Sequence, residues 1–493
     1  MIKPTEEQDR IFLFTKKRPE NILIKAYAGA GKTTTIVEAV KLLPVDKTIM
    51  FLAFNKHIQE ELKTKLPEHV RCYTTYGLGM SALKRKYGDS IEFDEFKVDK
   101  IILKKSKSWG LDEELRSEEE VSIYLNNMKK LTNLCRLTLT TKAEYIPYVS
   151  ERYDIPLNKP NDIKRVLKVL DFMTTDRKTF DYTDMIFLPA IDNSIWFFPQ
   201  DYVFVDEVQD LNRCQIKIIE KVLKKNRTTK KIEGRLISVG DFFQGIYGFN
   251  AADEKSFQWF EKFPNTKILP LSVSFRCSQA VIRKAQEIVP DIKALPDAPE
   301  GCVRDGSVLE EAQSGDFVLC RTTMPLVKLF FEFLTQGKKA IIKGSDIGVH
   351  LIELIGKINN IEKLISFWET ELSTFRKDLK KEGVLNPNDH SGYTALEDKV
   401  MTLLFLARIS DSILDLKHKI KLIFTDEIQG IVLSTVHKIK GLEANRVFII
   451  RPDLLPMNTV KPWQFAQEKN LEYVAYTRAK LELIFDREWV DEG

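Results

Sequence analysis

The sequence predicts an α/β protein with two parallel-sheet cores, each interrupted by a mainly helical insert. Two observations support this prediction. Short apolar strands alternate with helical stretches in two separate parts of the chain, and each part contains a long charged stretch with few strand signals. The chain has 493 residues, which is too long for one compact core and is typical of about two to four domains.

The first core takes its strands from both sides of an insert. The candidate strands are residues 22–26, 48–53, 70–73, 202–205 and 235–240. The sequence between the third and the fourth candidate is charged and has the pattern of helices. We therefore expect a first core made of residues 1–88 and 177–268, with a helical insert at residues 89–176.

The second core shows the same organisation. Its candidate strands are residues 316–320, 339–343, 431–435 and 447–450. The sequence between the second and the third candidate carries apolar residues at helical spacing, for example Leu351, Leu354, Ile355 and Ile358. We expect a second core made of residues 269–343 and 426–493, with a small helical insert at residues 344–425.

The composition is typical of a soluble globular protein, with 43% apolar and 30% charged residues. No apolar run reaches the ~20 residues of a membrane span, and the N-terminal sequence MIKPTEEQDR lacks the apolar region of a secretory signal. We therefore expect a cytoplasmic protein with no membrane partner.

Six cysteines are widely spaced and include no C-x-x-C pair. This spacing argues against a zinc site, an iron–sulfur site and a disulfide framework, and it favours buried, reduced side chains. The cysteines are Cys72, Cys135, Cys214, Cys277, Cys302 and Cys320.

Two basic segments stand out although the net charge is only +4. Residues 97–107 contain five lysines, and residues 224–231 form a basic loop. Because charge runs are usually solvated, we interpret each segment as a solvated face rather than a binding surface.

Residues 26–33, with the sequence AYAGAGKT, follow an apolar strand and have the pattern of a phosphate loop. Small residues let backbone N–H groups close around a polyphosphate, Lys32 supplies positive charge, and Thr33 offers a hydroxyl to Mg²⁺. The helix that follows adds its positive N-terminal end. The alternative is an ordinary glycine-rich turn. The residues assigned to the nucleotide are Ala28, Gly29, Ala30, Gly31, Lys32, Thr33 and Thr34.

Asp206 and Glu207 end the candidate strand 202–205. We predict that this strand lies next to the phosphate-loop strand, so that Asp206 reaches the metal and Glu207 points at the water that attacks the γ-phosphate. Mg²⁺ prefers oxygen ligands such as a hydroxyl, a carboxylate, phosphates and water. The alternative is a strand that ends in a solvated acidic turn.

Further segments, in order along the chain, resemble the motifs of the superfamily 1 DNA helicases of the UvrD/Rep type. The segments are TEEQ at 5–8, DEVQD at 206–210, GDFFQGIYGF at 240–249, LSVSFR at 271–276, LSTVHKIKGLE at 433–443 and EKNLEYVAYTRA at 468–479. The resemblance covers nearly the whole chain and is weakest in the two inserts. It implies two RecA-like motor domains, 1A and 2A, with the inserts as subdomains 1B and 2B.

The resemblance assigns further residues to ATP. Gln8 is expected to read the adenine edge, although a helix N-terminus capped by Thr5 fits the same segment. Gln244 is expected to sense the γ-phosphate, Phe275 to stack on adenine, and Glu443 to contact the ribose or the phosphates.

Two arginines, Arg276 and Arg478, are expected from the resemblance to neutralise the charge that develops on the γ-phosphate. An arginine finger of this kind contributes about 10³–10⁵ in rate. If both arginines lie on a different domain from Lys32, hydrolysis is coupled to domain closure. The alternative for each arginine is a surface ion pair.

The resemblance also implies a face that holds single-stranded DNA by stacking and by backbone contacts. Tyr247 and Phe249 are expected to stack on bases, and Thr435 and His437 to face the DNA backbone. Three segments with weaker resemblance, at 53–56, 74–77 and 180–185, add further candidates, although each aromatic side chain among them fits a core role as well. These candidates are Phe54, Asn55, Thr75, Tyr76 and Tyr182.

The resemblance implies an ATP-dependent helicase that uses Mg²⁺, moves 3′ to 5′ along single-stranded DNA and unwinds duplex. Its expected partners are single-stranded DNA, junctions of single and double strands, and replication or repair proteins. Replication, repair and recombination all remain open. The expected location is the cytoplasm, at the nucleoid, or the host cytoplasm if a phage encodes the chain.

Two alternatives to this function remain. A translocase that displaces proteins but unwinds poorly fits the small insert at 344–425. A nucleotide-gated DNA-binding module without a motor fits less well, because Glu207, Gln244, Arg276 and Arg478 are all present. Since the last motif lies close to Gly493, we expect no nuclease domain after it.

Overall fold

A computed structural model describes residues 4–111, 118–157, 159–248, 251–252, 255–381, 386–459 and 461–489. The chain divides into two compact units. The first unit comprises Met1–Ala26 and Gly31–Leu271, and the second comprises Tyr27–Ala30 and Ser272–Gly493.

The first unit is built on a six-stranded sheet with the order β3-β2-β6-β7-β1-β8, in which every neighbouring pair is parallel. A separate pair of short parallel strands, β4 and β5, lies at the two ends of the predicted insert. All five candidate strands of this core are confirmed. The strands are β1 (Asn21–Ala26), β2 (Ile49–Ala53), β3 (Arg71–Thr74), β4 (Glu92–Phe93), β5 (Thr179–Phe180), β6 (Tyr202–Val205), β7 (Arg235–Gly240) and β8 (Thr266–Leu271).

The helices of the first unit fall into two groups. Those in the sheet-forming parts of the chain are Glu6–Lys17, Lys32–Lys41, Lys56–Lys65, Thr75–Tyr87, Asp184–Ile191, Arg213–Val222 and Ser256–Glu261. Those in the predicted insert are Lys97–Ser106, Glu118–Leu137, Ile146–Arg152 and Asp162–Thr175. The insert helices bury an apolar cluster of their own, which includes Ile102, Leu131, Val166 and Val169.

Local sequence explains where two of these helices begin. The Thr5 hydroxyl accepts from the Gln8 N–H, and the Gln8 side chain accepts from the Thr5 N–H, which forms a capping box. Asn212 and Gln215 form the same arrangement ahead of Arg213–Val222. The prediction of a helix capped by Thr5 is therefore confirmed.

One predicted strand neighbour is wrong. The strand before Asp206, β6, does not lie next to the phosphate-loop strand β1, because β7 pairs with both of them and separates them. All three strands are parallel, so their carboxyl ends still meet at one edge of the sheet. The acidic pair reaches the phosphate loop across β7, whose own carboxyl end adds Asp241 to that edge.

The second unit is built on a seven-stranded sheet with the order β11-β17-β16-β12-β15-β13-β14, again parallel throughout, with a separate parallel pair β9 and β10. All four candidate strands of this core are confirmed. The strands are β9 (Val273–Ser274), β10 (Lys293–Ala294), β11 (Cys302–Asp305), β12 (Phe317–Cys320), β13 (Ala340–Lys343), β14 (Phe424–Thr425), β15 (Ile431–Thr435), β16 (Ala444–Ile450) and β17 (Ala479–Asp486).

The helices of the second unit include four in the predicted insert at 344–425. These are Ser345–Ile355, Ile361–Lys381, Ser391–Arg408 and Ile413–Ile423. The remaining helices are Gln279–Gln286, Val308–Glu311, Met324–Thr335 and Pro462–Tyr476. The insert helices share one apolar core with the second sheet, since a single cluster joins Leu351, Trp368 and Leu403 to Val318 and Leu433.

The boundary between the units lies slightly later than the sequence suggests. β8 runs parallel to β1 over its whole length, from Thr266 to Leu271, so residues 269–271 belong to the first sheet. All six cysteines are unpaired, and all but Cys302 are buried. None of the helices that the structure describes is both long and apolar enough to cross a membrane.

Candidate nucleotide and nucleic-acid sites

The phosphate loop has the backbone shape that its glycines permit. Gly29 and Gly31 have φ angles of +70° and +72°, in the left-handed region that residues with a Cβ atom avoid. Gly31 is the N-cap of the helix Lys32–Lys41, and among the described residues no side chain caps that helix. Its first backbone N–H groups and its positive end therefore suit an anion such as a polyphosphate.

A chain of polar contacts links Lys32 to the ends of two strands. Lys32 Nζ lies 3.2 Å from the Glu207 carboxylate, and Glu207 also accepts from the Gln209 side-chain amide. Gln209 Oε1 accepts from the Asp241 N–H at 3.1 Å, and Gln244 Nε2 donates to Asp241 at 2.8 Å. The structure thus brings together the three predicted residues Lys32, Glu207 and Gln244.

Gln209 and Asp241, which complete this chain of contacts, were not among the predicted site residues. Both lie inside the motif segments DEVQD and GDFFQ, so the signal was present in the sequence. Gly240 permits their approach, because a Cβ atom there would lie 2.5 Å from Gln209 Oε1 and 2.7 Å from Val208 Cγ2. A side chain at position 240 would therefore displace the side chains of Val208 and Gln209.

The charges at this edge of the sheet are buried together. Burial, reinforced by Glu207, raises the pKa of Asp206 to about 7, and burial raises the pKa of Asp241 to about 6. Burial alone would lower the pKa of Lys32, but Glu207, Asp241 and Asp206 outweigh it and raise the pKa. The site is therefore an excess of carboxylates around one lysine, which suits additional positive charge.

The residues present fit a metal that arrives with a phosphate ligand. Asp206 is buried directly after β6, and Thr33 lies in the first turn of the uncapped helix. In the parts of the chain that the structure describes, no group of three or more His, Cys, Asp or Glu side chains could hold a metal ion. A hydroxyl, one carboxylate and phosphate oxygens form a suitable ligand set for Mg²⁺.

Two other predicted nucleotide residues lie near the start of the chain's first helices. The Gln8 side chain donates to the Thr35 hydroxyl at 2.9 Å and accepts from Thr5, so both ends of its amide bond protein groups. Thr34 is exposed in the first turn of Lys32–Lys41. A contact of Gln8 with adenine stays a prediction.

The second unit, which includes the loop residues Tyr27–Ala30, contains a further set of predicted residues. The Phe275 N–H donates to the Gly29 carbonyl at 2.9 Å, and the Ala28 N–H donates to the Tyr473 hydroxyl at 2.9 Å. Ala30 is buried. Stacking of Phe275 on adenine stays a prediction.

Arg276 and Glu443 form an ion pair within the second unit. Arg276 also donates from Nη1 to the Thr477 carbonyl at 3.2 Å, and Lys480 lies 3.0 Å from Glu443. Burial would raise the pKa of Glu443, but Arg276 and Lys480 outweigh it and lower the pKa. Arg276 thus pairs with Glu443, but only 17% of its side chain is exposed, so this is not a surface ion pair. A contact of Arg276 with the γ-phosphate stays a prediction.

Arg478 is almost fully buried, with 1% of its surface exposed. Its Nε donates to the Val474 carbonyl at 2.9 Å and its Nη1 to the Leu442 carbonyl at 3.2 Å. Burial, with a contribution from Arg276, lowers the pKa of Arg478 to about 9. The alternative of a surface ion pair is therefore wrong for Arg478.

A second arginine–carboxylate pair in this unit was not predicted. The Arg321 guanidinium grips Glu468 through two nitrogens, at 2.8 Å and 2.6 Å. Burial, followed by the charges of Arg321 and Lys438, lowers the pKa of His437 well below its usual value, so this imidazole is neutral. Position alone could have indicated Arg321, because it directly follows the confirmed strand β12.

Three predicted DNA contacts have aromatic side chains that contact another aromatic ring. The rings of Phe54 and Tyr247 lie parallel to within 17°, with centroids 6.1 Å apart. Tyr182 is 59% exposed, and its ring and that of Phe93 pack edge to face with centroids 4.7 Å apart. Planar side chains suit the bases of a single strand, and contact of these three with DNA stays a prediction.

The remaining predicted DNA contacts are placed less favourably. Thr75 is 2% exposed and its hydroxyl accepts from Gln215 at 2.8 Å, so its side chain does not reach the surface, and Thr435 is also buried. Tyr76 packs against the first core, where burial raises its pKa to about 12. Asn55 is exposed but caps Lys56–Lys65 by accepting from the Ile58 N–H.

The predicted contact Phe249 lies outside the described residues. The basic loop at 224–231 is exposed at most positions, as expected for a solvated face, and Lys224 pairs with Asp201 at 2.8 Å. The basic segment at 97–107 departs from this expectation at Lys97, which is buried.

Comparison with known proteins agrees with this geometry. The UvrD/REP helicase N-terminal domain matches residues 5–265, and the UvrD-like helicase C-terminal domain matches residues 320–487. The F-box DNA helicase protein 1 of Schizosaccharomyces pombe is 24% identical over 98% of this chain and 57% of its own length.

Other relatives are similar over part of the chain or of their own length. The F-box DNA helicase 1 of Gallus gallus is 23% identical over 97% of this chain and 48% of its own length. The ATP-dependent DNA helicase PcrA of Bacillus subtilis is 24% identical over 54% of this chain and 37% of its own length. The chain thus spans about half the length of the curated relatives it matches. With both family models matched in order, the chain belongs to the UvrD/Rep helicase family.

Proposed function

We propose that this chain is an ATP-driven motor that moves 3′ to 5′ along single-stranded DNA and unwinds duplex. The observation that carries the proposal is the contact chain from Lys32 through Glu207 and Gln209 to Asp241 and Gln244, placed beside an uncapped helix N-terminus. The relatives' names, which include ATP-dependent DNA helicases, support the same activity.

Each residue of the site has a role in this proposal. Lys32 neutralises the phosphates, and Thr33 and Asp206 would hold Mg²⁺, which would polarise the phosphoryl group. Glu207 accepts the proton of the attacking water, once phosphate replaces it as the partner of Lys32. Arg276 and Arg478 offset the charge that builds up during phosphoryl transfer.

The proposed domains follow the predicted organisation. Residues 1–88 and 177–271 form motor domain 1A with insert 1B at 89–176, and residues 272–343 and 426–493 form motor domain 2A with insert 2B at 344–425. The boundary moves from 268 to 271 because β8 pairs with β1. The stacked pair Phe54 and Tyr247 and the exposed Tyr182 support a stacking path for DNA on domain 1A.

The first test is steady-state ATP hydrolysis with and without single-stranded DNA. We expect strong stimulation by DNA in the wild type and loss of hydrolysis in Lys32→Ala, because the variant removes the charge at the centre of the site. The matched control is Lys41→Ala at the other end of the same helix, where the lysine is exposed and pairs with Glu38. An ATP hydrolysis rate that is the same with and without single-stranded DNA would contradict the proposal.

The direction of movement needs a second test, on duplexes with a 3′ or a 5′ single-stranded tail. We expect unwinding of the 3′-tailed duplex only. Unwinding of the 5′-tailed duplex alone would reverse the proposed polarity. Displacement of a protein from single-stranded DNA without unwinding of either duplex would favour the translocase alternative.

A further inference from the structure

The chain returns from the first helical insert to the sheet through a turn at residues 179–184. The turn starts with β5 and ends at the helix Asp184–Ile191. Tyr182 is exposed at its tip, while Asp181 and Asp184 on either side of it are buried. The exposed tip is further supported by Phe93 of β4, which meets the Tyr182 ring and pairs through its strand with β5.

Each of the two aspartates accepts a hydrogen bond from the backbone N–H of the other, across the turn. The Asp181 N–H donates to Asp184 Oδ2 at 3.1 Å, and the Asp184 N–H donates to Asp181 Oδ1 at 2.7 Å. Each carboxylate therefore already serves the backbone of the turn, and any shift of one aspartate must move the residues between them.

Two cations from different insert helices hold these carboxylates. Arg136, on Glu118–Leu137, donates to Asp181 at 2.8 Å and lies 3.1 Å from Asp184. Lys97, on Lys97–Ser106, lies 2.7 Å from Asp184 and 3.2 Å from Asp176, and it donates to the Thr179 carbonyl at 2.6 Å. The insert thus grips the turn from two directions.

The charged side chains that hold this turn are almost completely buried. The side chains of Arg136 and Asp184 are fully buried, and 2% of the Lys97 side chain is exposed. Buried ion pairs are weak sources of stability, because desolvation offsets much of their attraction, and apolar side chains of similar size are often as stable. Their directional hydrogen bonds, by contrast, fix one geometry of the turn.

We propose that Arg136 and Lys97 are positioning residues that hold the turn so that Tyr182 stacks on single-stranded DNA. The helical insert thereby controls the DNA grip of the first motor domain without touching DNA at this point. The inference rests on the proposed function, because it requires that the chain binds DNA through Tyr182.

A double-mutant cycle tests the proposal, using Arg136→Lys, Tyr182→Ala and the double variant. The readouts are the DNA concentration that gives half-maximal ATPase stimulation, the kcat at saturating DNA and the KM for ATP. Arg136→Lys keeps the charge but loses the forked contact with two aspartates. We expect each single variant to raise the half-maximal DNA concentration about tenfold, the scale of one lost base stack. For Arg136→Lys, which lies outside the proposed ATP and DNA contacts, we expect kcat at saturating DNA and the KM for ATP to equal those of the wild type.

The double variant decides between positioning and a separate role. If Arg136 acts through Tyr182, the double variant is no weaker for DNA than Tyr182→Ala alone. Effects that multiply would overturn the proposal, as would an Arg136→Lys variant that binds DNA like the wild type. A Tyr182→Ala variant with the half-maximal DNA concentration of the wild type would also overturn the proposal.

Lys97→Met provides a second variant, with Lys100→Met as its control. Both lysines lie on the same helix, but Lys100 is exposed and pairs with Asp94 at 2.7 Å. We expect Lys97→Met to raise the DNA concentration that gives half-maximal ATPase stimulation, and Lys100→Met to leave this concentration unchanged. Thermal melts identify which variants are folded. A wild type without DNA stimulation would refute the proposed function itself, whereas stimulated wild type with unaffected Arg136→Lys and Lys97→Met variants would refute only this inference.

Discussion

At the scale of single residues, the buried carboxyl groups of Asp206 and Asp241 make the candidate nucleotide site unfavourable for the stability of the fold. Both carboxylates are buried, and burial raises their pKa values to about 7 and about 6. Burying a carboxylate is unfavourable unless a partner compensates, and Lys32 is shared with Glu207. The site therefore holds negative charge that a nucleotide-bound metal ion would relieve.

We predict that Asp206→Asn stabilises the nucleotide-free protein at pH 8 and much less at pH 5. Between about pH 4 and pH 7 folded Asp206 keeps a proton that the unfolded chain has released, so wild-type stability falls as pH rises through this window. The variant has no carboxyl group to ionise at this position, so it does not lose this free energy of unfolding. The loss is of the order of a few kcal/mol at about 1.4 kcal/mol per pKa unit. Denaturant unfolding at both pH values measures the difference.

Asp201→Asn, one residue before the same strand, is the control with the opposite sign. Burial would raise the pKa of Asp201, but hydrogen bonds from Lys224 and Thr48 outweigh it and lower the pKa. Its ionised form therefore stabilises the fold above its unfolded pKa, and the variant should lose stability at pH 8. Destabilisation by Asp206→Asn at pH 8 would contradict the account of the site.

At the scale of strands and helices, the sequence predicted the elements better than their neighbours. The candidate strands were found because a buried parallel strand is a short apolar run between polar turns. That pattern does not predict the order of the strands in the sheet. β7 lies between β6 and β1, and this order depends on pairing between strands that are far apart in the sequence. β8 was not predicted because half of its side chains are exposed, as its place at the edge of the sheet allows.

The same limit applies to the site residues. Motif residues such as Lys32 and Glu207 could be predicted because the chemistry needs those side chains at fixed spacing. Arg321 and Glu468 are 147 positions apart and meet only in the folded second unit, so no local pattern joins them. Thr75 illustrates the reverse case, since this polar residue lies in a segment predicted to contact DNA but is buried and accepts a hydrogen bond from Gln215.

At the scale of the whole molecule, the two inserts relate differently to the sheets they interrupt. The insert at 89–176 buries its own apolar cluster and meets the first sheet's turn through the ionic contacts of Lys97 and Arg136. The insert at 344–425 has no such division, because its helices and the second sheet bury their apolar side chains in one cluster. Helices that share a core with a sheet should unfold with it.

Trp368→Ala tests this difference. Trp368 is 7% exposed, donates from Nε1 to the Leu354 carbonyl at 3.1 Å, and belongs to the cluster shared with the second sheet. The cavity should cost about 3–5 kcal/mol. We expect faster hydrogen exchange in the insert helices and also in β12 and β15, with β1 and β7 of the first unit unchanged.

Leu414→Ala is the matched control, because Leu414 lies in the same insert and is 79% exposed, so its truncation leaves no cavity. It should change exchange in neither sheet. If Trp368→Ala accelerates exchange only within the helices of 345–423, the insert unfolds on its own and can move without the second sheet. Joint exchange of helices and strands instead means that any motion of this insert carries the sheet with it. In that case a substitution in the insert changes the stability of the strand ends that hold Arg321 and His437, far from its own position.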